Sequence, residues 1–293
     1  MAHRSGFVNI IGNPNVGKST LMNALVGEKL SIVTAKAQTT RHRIMGIVNG
    51  DDWQIVYSDT PGILKPAYRL QQNMMNFVDG AIGDADIILY VTDTIESPEK
   101  NSEWIEKLSR LECPVIVVIN KIDISDQKTV IEKMGFWQER LPKAEVIVAS
   151  AEQKFNLDKI LDAVVSRLPQ CPPWFDKDAF TDKNLRFFAS EIIREKILLN
   201  YKEEIPYCCE VGIESFKEGE ERYDIGAVIY VMRESQKGII IGRQGAALKK
   251  VGTQARLEME DFFQKKVFLQ IYVKGDPDWR ESKRELRKFG YED

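Results

Sequence analysis

"GNPNVGKST", Gly12 to Thr20, lies between the apolar run "FVNII" (residues 7–11) and "LMNALVG" (21–27). Gly12 to Ser19 fit G-x-x-x-x-G-K-S, the spacing of a phosphate-binding loop when it joins a strand to a helix. The glycines let consecutive backbone N–H groups point into one concavity, and the helix N-terminus adds partial positive charge. Gly12, Asn13, Pro14, Asn15, Val16 and Gly17 are the candidate cradle, and Thr20 sits in the first helical turn. Lys18 is positioned to reach terminal phosphate oxygens and Ser19 to ligate Mg²⁺. A glycine-rich turn without a ligand is the competing reading. G-x-G-x-x-G is absent from this first turn, which disfavours a dinucleotide fold.

Outward from that loop, apolar runs and helical patterns alternate up to about Leu168. "MGIVNGDDWQIVYSDT" (45–60) reads as two strands joined by an Asn49-Gly50-Asp51 turn, an antiparallel hairpin. A helix around Leu70 to Ala81, the strand "IILYVTD" (87–93) and a helix from about Glu99 to Leu111 follow. "CPVIVVIN" (113–120) is almost continuously apolar, as a strand covered on both faces should be. A helix around Gln127 to Leu141, the strand "EVIVAS" (145–150) and a helix ending near Leu168 complete a doubly wound sheet, parallel except for the hairpin edge.

Further stretches end strands of this pattern. In "DTPG", Asp59, Thr60, Pro61 and Gly62, the aspartate can hold Mg²⁺ through water and the Gly62 N–H can meet a γ-phosphate. In "NKID" (120–123), with Asn120 and Lys121, the Asp123 carboxylate can accept from the ring N–H and exocyclic amine of guanine. Adenine has no such donor pair, and a site built for those bonds rejects it by roughly 10⁴-fold or more. "ASA" (149–151) brings Ser150 and the Ala151 N–H towards the base oxygen. Each alone could be a strand-end turn; in this order they converge on one crevice. A small adenine-nucleotide kinase on the same fold is the alternative that Asp123 opposes.

Composition narrows the setting. The chain has 293 residues, 43% hydrophobic and 29% charged, with a net charge of −3, so a nucleic-acid site must be a local patch. Four cysteines without C-x-x-C, and only two histidines, disfavour zinc and suit reduced thiols. The opening residues enter a strand with no signal-peptide pattern, and no run approaches the roughly 20 residues of a membrane span, so a cytoplasmic location is expected.

"LPQCPPWFDKDAFTDKN" (168–184) breaks the alternation and reads as a linker. Beyond it the expected order is helix (Leu185 to Leu199), strand (Tyr207 to Phe216), strand (Tyr223 to Arg233), glycine-punctuated helices (Gly238 to Phe263), strand (Val267 to Val273) and a charged helix, an α+β unit. From Lys237 to Arg256 there are five basic residues and no acid. Gly242-Arg243-Gln244-Gly245 lies inside this stretch, where a nucleic-acid backbone could pass close to helix N–H ends. Lys237, Arg243, Lys249 and Lys250 supply charge, and Ile239, Ile240 and Ile241 are expected to floor the bases. A solvated basic helix is the competing reading. In the tail, Trp279, Leu286 and Phe289 mark an amphipathic helix packed on this unit.

The first two-thirds resemble translation-factor-type GTPases of the Era/TrmE/Der group, and "QTTRHR" (38–43) resembles the first switch of the Era family. The second part resembles a type II KH domain, whose GXXG loop clamps about four single-stranded nucleotides. The resemblance implies an α/β P-loop GTPase domain at 1–170, a linker at 171–184 and a KH domain at 185–293. It implies GTP or GDP with Mg²⁺, Thr40 as the switch threonine on Mg²⁺ and γ-phosphate, and Thr39 as the neighbouring alternative. Ile63 stands where Ras-like enzymes carry a water-positioning glutamine, so intrinsic turnover should be slow. Lys18, Thr40, Gly62 and Asn15 are the catalytic candidates, Asn15 as holder of a K⁺ ion or, alternatively, only as a shaper of the loop. The implied role is binding the single-stranded 3′ end of small-subunit ribosomal RNA and assisting small-subunit assembly, as a monomer with peripheral contact at the inner membrane. A membrane-associated cell-cycle GTPase whose second domain binds protein is the alternative.

Overall fold

The computed structural model describes residues 3–97, 100 and 102–292. It divides into two units. One comprises Met1–Ser31, Thr40–Lys65 and Met74–Asp182; the other comprises Ile32–Thr39, Pro66–Asn73 and Lys183–Asp293.

The first unit carries a six-stranded sheet in the order β2-β3-β1-β4-β5-β6. Its strands are β1 (Arg4–Ile11), β2 (Ile44–Asn49), β3 (Trp53–Asp59), β4 (Ile87–Asp93), β5 (Val115–Asn120) and β6 (Glu145–Val148). Only β2 runs antiparallel, through the short turn in which the Gly50 N–H donates to the Trp53 carbonyl at 2.8 Å. Every residue of β4 is buried, and so are Ile116 to Asn120 of β5, which matches strands covered by helices on both faces. Helices α1 (Lys18–Val26), α2 (Arg69–Gly83), α3 (Ser102–Ser109), α4 (Gln127–Arg140) and α5 (Leu157–Val165) fill the connections, with the first turn of α2 falling in the second unit. The expected helix start at Glu99 lies outside the described residues.

Parallel strands put their C-terminal ends on one edge. Ile10 of β1 pairs with Asp59 of β3, and Asp93 of β4 with Asn120 of β5. The loop after β1, the turn after β3 and the segments after β5 and β6 therefore share that edge, and this register gathers the site. The proline- and acid-rich stretch expected as a linker is ordered against the first unit: Ile47 N–H donates to the Phe180 carbonyl at 2.9 Å, and Gln54 Nε2 to the Phe175 carbonyl at 2.8 Å.

The second unit holds a three-stranded sheet, β7 (Cys209–Glu218), β8 (Arg222–Val231) and β9 (Lys266–Gly275), in that order. β7 and β8 are antiparallel; β8 and β9 are parallel, joined through α7 (Glu234–Ile241) and α8 (Ala246–Phe263). α6 (Leu185–Asn200) and α8 close one face over a core that includes Ile193, Ile197, Ile225, Ile229, Val251 and Met259. Trp279, before α9 (Lys283–Lys288), and Leu286, within it, are fully buried. Ile240 corrects the sequence reading. Gln236 and Ile240 are four residues apart on α7, so both face inward, and Ile240 is 0% exposed in the core. It cannot floor a base.

Candidate functional site

The helix after the phosphate loop starts without a side-chain cap. Gly17 caps α1 in the left-handed region at φ 95° and makes no side-chain cap, which suits first-turn N–H groups that face an anion. The loop is held by close contacts that leave no room for a Cβ: one on Gly12 would sit 2.1 Å from the Val91 carbonyl oxygen, and one on Gly17 would sit 2.2 Å from the Asn120 side-chain Nδ2. Lys18 Nζ donates to the Asn13 carbonyl at 2.9 Å, curling the ammonium over the concavity. Val16 is buried beneath the loop, while Pro14 lies against Gly62. Asn15 takes a positive φ of 66°.

The residues assigned to a metal converge. Ser19 Oγ donates to Asp59 Oδ2 at 2.7 Å and lies 2.9 Å from Thr40 Oγ1, which donates to the same Oδ2 at 3.2 Å. Asp59 is fully buried, and its Oδ1 has no hydrogen-bond partner. A desolvated carboxylate oxygen without a partner, beside two hydroxyls, suits a hard divalent cation. Burial pushes the Asp59 carboxyl above its ordinary range, opposed by the Lys18 charge and the hydroxyl donors. Thr39, the alternative, turns elsewhere: its hydroxyl donates to the Lys36 carbonyl at 2.6 Å. Thr60 Oγ1 donates to the Ile10 carbonyl at 2.8 Å, and the Ile63 N–H donates to the Gly12 carbonyl at 3.1 Å.

Burial pulls the Lys18 ammonium down to about 8, against the opposing pull of Asp59 and Glu96. In the unfolded chain this amine keeps its proton to the ordinary lysine value of about 10.4. Between those values the unfolded state binds the extra proton, so stability of the ligand-free protein rises with pH across that window. Phosphate favours the charged amine, so nucleotide binding above pH 8 must take up a proton. Affinity is expected to fall by up to about tenfold per pH unit above that point. Calorimetry in buffers of differing ionisation enthalpy should show proton uptake at pH 9 and little at pH 7.5; equal uptake at both would contradict it.

On the base side, Asn120 is a cross-brace. Its Nδ2 donates to the Val16 carbonyl at 2.9 Å and its Oδ1 accepts from the Ala151 N–H at 2.9 Å. Lys121 Nζ donates to the Asn15 carbonyl and pairs with Asp93 Oδ2 at 2.7 Å. Ser150 Oγ donates to Asp123 Oδ1 at 2.5 Å, orienting an exposed carboxylate. Sequence reasoning missed Asp93, Thr92 and Glu96. Asp93 Oδ1 accepts from the N–H groups of Ile95 and Glu96, and Glu96 then receives Asn13 Nδ2 at 2.8 Å and Thr92 Oγ1 at 2.6 Å. The carboxylate ending β4 was the available signal.

In the second unit, Gly242 (φ 72°), Gln244 (φ 53°) and Gly245 (φ 77°) form a tight turn between α7 and α8, with Arg243 and Gln244 exposed. A groove of about 380 Å³ opens beside it between α8 and β9. Gly245 and Lys249 line it; Lys237 and Lys250 do not. Its floor is Leu248, Leu269 and Ile271, with Arg256 on its wall; the sequence reading did not choose Leu269 and Ile271 because β9 lies far along the chain. Among the described residues, no helix is long and apolar enough to cross a membrane.

Comparison with known proteins fits both sites. Residues 7–121 match the family described as 50S ribosome-binding GTPase, and residues 204–280 match the KH domain family. GTPase Era of Geobacter metallireducens is 44% identical over 291 residues, covering 98% of each chain. The chain belongs to the Era family of GTPases. The fold agrees: the crystal structure of a variant of Aquifex aeolicus Era bound to GDP·AlF₄⁻ superposes with a TM-score of 0.94 at 39% identity over 99% of both chains. A crystal structure of Era in complex with MgGDPNP and nucleotides 1506–1542 of 16S ribosomal RNA matches with the same TM-score, identity and coverage. This Era-family chain is therefore a GTPase with a mostly parallel, doubly wound nucleotide domain followed by a type II KH domain.

Proposed function

We propose that this Era-family GTPase is a slow, magnesium-dependent GTP switch that binds the single-stranded 3′ end of small-subunit ribosomal RNA and assists small-subunit assembly. The observation that carries the switch is that Ser19 and Thr40 converge on Asp59 Oδ2 while the buried Oδ1 of the same carboxylate has no partner. Those three residues would hold Mg²⁺, which when bound neutralises charge on the β- and γ-phosphates. Lys18, the Gly62 N–H and the first-turn N–H groups of α1 orient the γ-phosphate by positioning and electrostatics. Ile63 has no polar group to orient water, which supports slow turnover. Gly12 to Thr20, Asp59 to Gly62, Asn120, Lys121, Asp123, Ser150 and Ala151 form the proposed nucleotide contact set, with the nucleotide domain at 1–170 and the RNA domain at 185–293.

Thr40 belongs to the first unit, whereas Thr39 belongs to the second, where its carbonyl accepts from Arg194 Nη2 of α6 at 2.5 Å. Movement of this segment with the γ-phosphate would thus be felt in the second unit, and any coupling of GTP to RNA affinity is reciprocal. We also assign Asn15 a K⁺ ion beside the phosphates. Hydrolysis should run faster in KCl than in NaCl, and equal rates would leave Asn15 only its role in loop shape. The protein is read as a cytoplasmic monomer, with basic α9 making any peripheral contact with the inner membrane.

Gly242 to Gly245, Arg243, Gln244, Lys249 and the groove beside them are the proposed RNA contact, with Lys237 and Lys250 adding longer-range charge. A Cβ at Gly245 meets nothing within 4 Å. Gly245→Asp therefore keeps the fold at about 1–2 kcal/mol of backbone strain and sets a carboxylate where phosphates would run. RNA affinity should fall on the order of a hundredfold while GTP binding holds. Crosslinking of the GTP-loaded protein to total cellular RNA should enrich small-subunit ribosomal RNA, and the variant should lose that enrichment. An unenriched wild type would remove the assembly role, and an unaffected variant would remove the clamp.

A further inference from the structure

β9 presents two faces, and the groove uses only one. Val267 lies in the core, and Leu269, Ile271 and Val273 pack against it. The intervening residues read Lys266, Phe268, Gln270, Tyr272, Lys274, and all five are exposed on the opposite face. Phe268 and Tyr272 are 46% and 62% exposed, unusual for large rings on a sheet surface. The row alternates cation, aromatic, amide, aromatic, cation, at strand spacing. From Phe262 to Gly275 there is no carboxylate, in a chain whose net charge is −3. On β8 beside it, Arg222 stands over the Phe268 ring at 5.4 Å and pairs with Asp224 at 2.9 Å, which offsets the nearest acid. Gly226 lies opposite Gln270, so nothing rises between the rings from the adjacent strand.

We propose that this outer face of β9 is a second single-stranded RNA platform, on which bases stack against Phe268 and Tyr272 while Lys266, Arg222 and Lys274 meet phosphates. The inference rests on RNA binding in the groove. A KH groove takes about four nucleotides, and β9 is the edge strand of its sheet, bordering the groove through Leu269 and Ile271. A strand leaving the groove at that edge meets the exposed row next. Aromatic rings accept any base face, and the flanking cations complement the backbone. Two copies joined through this same face would set one cationic row against the other, so the charge argues for a polyanion instead.

The test uses the full chain and fluorescent single-stranded RNAs of about four and about twelve nucleotides, a groove-length and a longer probe. The Phe268→Ala, Tyr272→Ala double variant should bind the longer RNA about tenfold or more weaker per stacked base lost and the short one normally. Both side chains are exposed, so the fold should survive. In Tyr272→Trp, the longer RNA should quench indole emission and the short one should not. Unchanged affinity for the longer RNA with no quenching overturns the platform, as does an equal loss for both lengths. A change in sedimentation of the double variant alone would assign the face to self-association and also overturn it. If the wild type fails to bind even the short RNA, the groove reading itself has failed, a result distinguishable from the others.

Discussion

Asp123→Asn is expected to convert this protein from a guanine-selective to a xanthine-selective binder. The carboxylate, oriented by Ser150 Oγ at 2.5 Å, offers acceptors to the two adjacent donors of guanine. A paired, charge-assisted contact of this kind is among the strongest a base can make. Asparagine replaces one acceptor with a donor, which then faces the exocyclic amine while the amide oxygen still accepts from the ring N–H. Guanine affinity should drop by roughly 10⁴-fold, as expected when a site built for one hydrogen-bonding pattern meets another. Xanthine, with an oxygen in place of the exocyclic amine, restores the match. Asp123 is exposed and its replacement nearly isosteric, so Asn120 and Lys121 should keep their braces and the fold should stand. Competition of a fluorescent nucleotide by GTP, XTP and ATP measures the effect. An unaltered ratio of GTP to XTP would remove the base pocket from Asp123.

Gly12→Ala should damage the first unit and its nucleotide affinity together. The added methyl would lie 2.1 Å from a backbone carbonyl of β4, which has no rotamer to yield. The residue also sits at φ 155°, at the edge of the region that strains side-chain-bearing residues. Overpacking of this kind costs about 1–3 kcal/mol, a fall in Tm of roughly 2–12 °C for a unit of this size. Relief can come only by pushing the loop away from Val91, and losing even one N–H bond to a charged phosphate costs about 1.5–3 kcal/mol, roughly tenfold or more in affinity. Thermal unfolding and titration with labelled GDP check both parts. A variant that melts and binds as the wild type does would show that the loop is not held by that contact.

Much of the site was legible because its chemistry is written in short, contiguous spacings. Gly12 to Ser19, Asp59 to Gly62 and Asn120 to Asp123 each carry their own turn, and alternation along β1, β4 and β5 implied the sheet that aligns them. The choice between Thr39 and Thr40 was not legible. Neighbouring residues of one type differ only in which way the loop turns, and that depends on Asp59 and Ser19, which lie far from them in sequence. Ile240 misled for a related reason: three isoleucines in a row conceal which one the helix turns inward. The groove floor, Leu269 and Ile271, looks like any sheet core until α8 lies beside β9.

The sequence by itself determined the class of fold, the phosphate-loop motif, the Asp123 carboxylate proposed to select guanine and the basic GXXG segment, because local periodicity and turn chemistry act between near neighbours. Only the tertiary structure decided that Ser19, Thr40 and Asp59 share one point, that Glu96 and Asp93 brace the loop, and that β9 leaves aromatic rings and lysines uncovered. Those facts depend on which strands lie side by side, and strand order follows from long-range burial that no short stretch of residues specifies.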